Sequence, residues 1–97
     1  MVQTVRSVTV LAGEKMKLLE RPRCLHRIFF NIRAFADQSV WCETKISFDD
    51  PQFCSFYVLD GPAKYFVAEG PDIHQGDVWV YNASGGDLDY TATEILH

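Results

Sequence analysis

Three histidines, three cysteines and a set of loop aspartates are the residues of this sequence whose types could do chemistry. His26, His74 and His97 lie far apart with no HxH or HExxH spacing, so a metal site or a catalytic base would have to be assembled wholly by the fold. Cys24, Cys42 and Cys54 contain no CxxC pair and are odd in number, which suggests neither a zinc ribbon nor a disulfide framework. They read as free, buried thiols of a chain that folds in a reducing cytosol. No serine sits in a GxSxG elbow and no cysteine has thiol-protease flanks, so nucleophilic catalysis has no support. Asp49, Asp50, Asp60, Asp72, Asp77, Asp87 and Asp89 fall in or beside expected loops. None has EF-hand spacing, and aspartate before glycine or proline serves turn geometry. A carboxylate pair for glycoside hydrolysis needs a set separation across a cleft, which no linear spacing supplies. The expectation is therefore a non-enzymatic protein with no cofactor and no metal. Asn82-Ala83-Ser84 matches a glycosylation sequon but reads as the entry to a turn.

Two further groups point to contact rather than catalysis. Arg21, Arg23, Arg27 and Arg33, with Lys15 and Lys17, form a basic stretch near the front of the chain. Residues 1–33 carry a net +5 and residues 34–97 a net −9, which together make the overall −4. A nucleic-acid domain tends to be basic throughout, whereas this chain has a pI near 5.2, so a partner-facing stripe is preferred to a nucleic-acid groove. The acidic rear of a second copy would suit such a stripe. Trp41, Trp79 and Tyr81 alternate with residues expected in the core, so they fall on the opposite, solvent-side faces of their strands. Aromatic rings placed there suggest contact with another chain or with sugar rings.

These residues must be positioned by strands. Val2 to Leu11 is rich in β-branched residues and reads as a strand, and Lys15 to Glu20 as a short strand or a helical turn. Cys24 to Ala36 admits a helical period, but its aromatic and β-branched content favours a strand with Arg27, Phe29, Asn31, Arg33 and Phe35 on one face. Ser39 to Phe48 alternates cleanly, and Phe53 to Leu59 and Lys64 to Ala68 follow between Asp/Gly/Pro breakers. Gln75 to Leu96 is two alternating runs around Ser84-Gly85-Gly86-Asp87 and reads as an antiparallel hairpin. Seven to eight short strands over residues 1–97, with 47% hydrophobic composition and no linker or repeat, predict one all-β domain. The expected architecture is an antiparallel β-sandwich or small barrel, jelly-roll-like. No run approaches the roughly 18 apolar residues of a membrane span, and the start lacks a signal-peptide pattern, so a soluble, unexported chain without a membrane partner is expected.

The tail Gly76 to Leu96, GDVWVYNASGGDLDYTATEIL, resembles the ending of small structural proteins of tailed bacteriophages. GPAKYFVAEG (Gly61 to Gly70) and DIHQGDVWV (Asp72 to Val80) add to the resemblance. It implies a head-decorating, head-completion or tail-associated β-sandwich, found in the virion after folding in the host cytoplasm. Such a protein works by homo-oligomerisation and by docking on capsid or tail proteins. Small size points the same way, because a short chain gains stability by burying surface between copies. Two alternatives stand beside it. One is a carbohydrate-binding module or adhesin using the exposed aromatics, and the other a small acidic inhibitor of a host protein.

Overall fold

The computed structural model describes residues 1–35, 42–49, 57–61 and 63–97, with the backbone alone for 57–61, 63 and 64. Among the described residues eight strands are formed: β1 Val2–Val10, β2 Lys15–Leu19, β3 Arg27–Phe35, β4 Cys42–Phe48, β5 Tyr57–Gly61, β6 Ala63–Glu69, β7 Val78–Asn82 and β8 Leu88–Leu96. They make two four-stranded sheets, ordered β1-β8-β3-β6 and β2-β7-β4-β5, with every described pairing antiparallel. This is a jelly-roll sandwich, in which the chain passes back and forth between two facing sheets. The all-β expectation holds, and so does the strand choice for the ambiguous β3 segment, while Lys15 to Glu20, left open between strand and helical turn, supplies the strand β2.

The pairing of the last two strands differs from expectation. The alternating runs are both strands, but β7 lies in the second sheet and β8 in the first, so they form a corner and not a hairpin. Facing sheets stand about 10 Å apart. The five residues 83–87 can span roughly 16 Å, enough to cross from one layer to the other. Each run then finds a partner distant in sequence: β8 sits between β1 and β3, and β7 between β2 and β4.

Period-two alternation decides what lies between the layers. From the first sheet Val10, Phe30, Ile32, Ala34, Leu88 and Ala92 point inward, and from the second Leu18, Cys42, Ile46, Val78 and Val80 meet them, all buried. A bulge between Lys17 and Leu19 breaks the alternation of β2, and both Leu18 and Leu19 are buried as a result. Tyr90 and Thr44 bring hydroxyls into this core and satisfy one another at 2.7 Å across the sheets. Burial pushes the Tyr90 phenol up to about 12, although the bond to Thr44 opposes the shift.

The corners are held by side chains that act on backbone. Asn82 is fully buried; its amide donates to the Val10 carbonyl at 2.9 Å and to that of Gly86 at 3.0 Å, and its Oδ1 accepts from Ser84 N–H at 2.9 Å. The sequon is therefore a turn, with its asparagine committed to the interior. Asp49 ends β4 with φ 65°, a left-handed conformation that aspartate tolerates. Its backbone carbonyl accepts from the Trp79 indole at 3.1 Å. Gly76 packs so closely under Asp49 and His74 that any Cβ there would collide with the Asp49 carboxylate.

Candidate functional site

The structure distributes the expected contact residues that it describes over four places. Arg27 is the clearest correction. Expected on a partner-facing stripe, it is fully buried, because a bulge between Arg27 and Phe29 shifts its register against β8. Arg27 pairs with Leu96, on the inward-facing alternation of β8, while Phe29 pairs with the outward Ile95. The guanidinium donates to the carbonyls of His74 at 2.8 Å, Gly76 at 2.8 Å and Glu20 at 2.9 Å. Gln75 grips the same residue's backbone, accepting from Arg27 N–H at 2.8 Å and donating to its carbonyl at 2.6 Å. Glu94, also buried, lies 3.8 Å from Arg27 Nε, too long for a hydrogen bond. Desolvation lowers the Arg27 pKa against the pull of Glu94, Asp77 and Asp49, and desolvation raises that of Glu94 against the pull of Arg27. Arginine remains charged under such conditions. It works here as an internal staple joining the β2–β3 loop, the β6–β7 loop and β8.

Arg21, Arg23 and Arg33 are exposed but do not form one stripe. Arg21 and Arg23 lie on the β2–β3 loop, where Arg21 approaches Asp49 at 3.6 Å. Arg33 stands on the outer face of the first sheet, 5.4 Å over the Phe35 ring. Cys24, in the same loop as Arg21, is an exposed thiol and not a buried one. Cys42 is buried, and burial raises its thiol pKa.

Trp79 and Tyr81 lie on the outer face of the second sheet, opposite the buried Val78 and Val80, as the alternation predicts. Both are half-buried under lysine stems. Lys17 Nζ sits 5.8 Å from the Trp79 ring, and Lys15 and Lys45 Nζ sit 5.6 and 6.0 Å from the Tyr81 ring. Register explains the grouping, since Lys15 and Lys45 flank Tyr81 in one cross-strand row and Lys17 adjoins Trp79 in the next. Trp41 lies outside the described residues.

The outer face of the first sheet was not singled out from sequence. Its cross-strand rows read Ser7–Thr91–Arg33–Tyr65 and Val5–Thr93–Asn31–Val67, with Gln3–Ile95–Phe29–Glu69 on one side and Phe35 beyond. Val5 is 62% exposed, Tyr65 64%, Val67 43% and Phe35 42%. The signal was present in the alternation, as the odd-numbered positions of β1 and β6. It becomes a patch only when β1, β8, β3 and β6 are laid side by side.

An open aromatic groove lies at one end of the sandwich, with Phe30, Phe48 and Phe66 ring centroids 5.8 to 6.4 Å apart and His74 stacked on Phe48 at 4.5 Å. His26 and His97 are joined through backbone hydrogen bonds of 3.0 and 2.8 Å. Among the described residues no three His, Cys, Asp or Glu side chains gather as a metal site would require.

No family model matches the chain, and no curated protein matches it. Solved structures share its fold, among them two at low identity. A de novo designed double-stranded β-helix is 13% identical with a TM-score of 0.58, over 95% of this chain and 99% of that one. A protein from Bacillus endospore appendages, described as a novel family of disulfide-linked pili, is 12% identical with a TM-score of 0.56. That alignment covers 99% of this chain and 88% of the other. At such identity the likeness is one of fold.

Proposed function

We propose that this chain is a non-enzymatic structural subunit that self-associates, and that its larger setting is a bacteriophage virion, where it docks on a capsid or tail. The observation that carries the proposal is the outer face of the first sheet. Val5, Phe35, Tyr65 and Val67, each more than two-fifths exposed, lie on one four-stranded face interrupted by few charges. Val5 on one edge strand and Tyr65 and Val67 on the other, with Thr93, Asn31, Thr91 and Arg33 between them, support a protein contact, because leaving them in water forfeits roughly 25 cal/mol for each apolar Å² that a partner would cover. The endospore appendage protein supports the reading from outside, as a chain of this fold that comes from pili. The virion setting is supported by the resemblance of Gly76 to Leu96 to phage structural proteins. Light scattering on the purified protein tests self-association. A concentration-dependent oligomer that binds phage heads or tails is expected, and a strict monomer that binds neither overturns the proposal.

A second reading, binding of carbohydrate, is favoured by Trp79 and Tyr81 on the opposite sheet, where half-buried rings lie among three lysines. A glycan array with Trp79→Ala as control decides it. Signal lost in the variant supports sugar binding, while no signal, or signal unchanged by the substitution, removes it.

A further inference from the structure

We infer that the free edge of β1 is the junction between copies, and that its occupant is β1 of a second copy, paired antiparallel about a two-fold axis through Val5. The inference deepens the self-association reading above and rests on it.

The observation is a strand half that the fold leaves uncovered. β1 is nine residues long and stands at the end of its sheet, and among the described residues it pairs only with β8. From Val2 to Ser7 it is exposed on both faces. The inward-facing side is bare there because β2 has only five residues, and beyond Leu19 the chain turns to Asp77, whose carboxylate accepts from Arg21 N–H at 2.8 Å. Edge strands are ordinarily blunted by shortness, bulges, proline or charge. β2 has the first two and two lysines as well. β1 has none of the first three: its register with β8 runs unbroken from Val2 to Val10, and it contains no proline. Its single charge, Arg6, is turned across to the second sheet, where Nη1 donates to the Lys17 carbonyl at 3.0 Å.

The sequence of β1 then selects the register. Cross-strand partners must share a face, so even positions pair with even and odd with odd. An axis through Arg6 would set two guanidinium groups directly opposite, which is unfavourable. Moving the axis one residue to Val5 sets Val5 against Val5, Thr4 against Arg6, Gln3 against Ser7 and Val2 against Val8. No like charges then meet. The most exposed apolar residue of the strand is covered by its own copy, and the two outer faces merge into one eight-stranded surface. Pairing is through backbone hydrogen bonds that the edge already presents, so no segment has to refold.

Two substitutions at Val5, which is exposed and dispensable to the core, test this without threatening the fold. Val5→Lys and Val5→Glu alone should each weaken self-association about tenfold, since like charges then face one another at the axis. A one-to-one mixture of the two should restore the affinity of the parent. In a Cys24→Ser, Cys54→Ser background, Val5→Cys should form a disulfide-linked dimer on mild oxidation, while Thr93→Cys on the same face but one strand in should not. A parent that scatters as an oligomer, with Val5→Lys unchanged in mass, overturns the β1 junction and leaves self-association standing. Cross-linking of Val5→Cys only to a Val67→Cys chain does the same, since it would place β1 on the opposite sheet edge. A parent that is monomeric at every concentration overturns both.

Discussion

A single misplaced residue separates a surface stripe from an internal staple. Arg27 follows Arg21 and Arg23 and precedes Ile28-Phe29-Phe30, and strict alternation puts it outside with Arg33. The bulge before Phe29 turns it inward, where three carbonyls and Glu94 compensate its desolvation. Breaking such an arrangement leaves buried acceptors unpaired, at a cost of about 3 kcal/mol. Arg27→Lys keeps the charge but lacks the planar fork that reaches Glu20, His74 and Gly76 together. It should lower the denaturant midpoint by a corresponding amount without changing the slope. Tyr90 gives a pH prediction. Its phenol is raised from the ordinary 10 to about 12 by burial, so the folded state holds the proton more tightly than the unfolded chain. The stability from this group is full below pH 10 and is lost as pH rises through about 12. Ultraviolet titration should show the Tyr90 phenol ionising late. Thr44→Val removes the bond that opposes the shift and should move that tyrosine later still, while costing about 1 to 2 kcal/mol.

At the scale of elements, the strands themselves were legible and their partners were not. Period-two patterning and β-branched content mark β1, β4, β7 and β8 in the sequence, and the β3 ambiguity resolves because Phe30, Ile32 and Ala34 share one buried face. Turn chemistry marks Asn82 to Asp87 equally well for a hairpin or a corner, since glycine and asparagine serve both. What distinguishes them is Asn82 reaching Val10 on another strand, a contact across 72 positions that no local pattern contains. Asn82→Ala should therefore act on two corners at once. It removes donors to Val10 and Gly86 and the acceptor for Ser84, and should cost about 2 to 3 kcal/mol in chemical denaturation. Amide exchange should rise first at Ala12 to Glu14 and at Ala83 to Asp87.

At the scale of the whole molecule, the two sheets present unlike outer surfaces. The second carries Trp79 and Tyr81 under lysines, and the first carries exposed Val5, Phe35, Tyr65 and Val67 among polar side chains. Of the aromatics chosen from sequence, Trp79 and Tyr81 are the more covered set, because lysine stems in adjacent strands lie over them. The more exposed set sits on β1, β3 and β6, which are far apart in the chain. Replacing Tyr65 and Val67 together by serine and threonine should weaken self-association several-fold with little change in melting temperature, as neither side chain packs in the core. Equilibrium sedimentation alongside thermal melts checks both halves. A double variant that associates as the parent does would locate the contact elsewhere.

The sequence by itself determined an all-β chain of seven to eight short strands, the inward residues of most of them, and the turns between. Those are local properties, written in a period of two and in glycine, proline and asparagine. Only the tertiary structure decided that β7 and β8 part into different sheets, that Arg27 turns inward, and that β1 is left as a bare edge. Each depends on which distant strands meet and in what register, and a one-residue bulge is enough to exchange inside for outside.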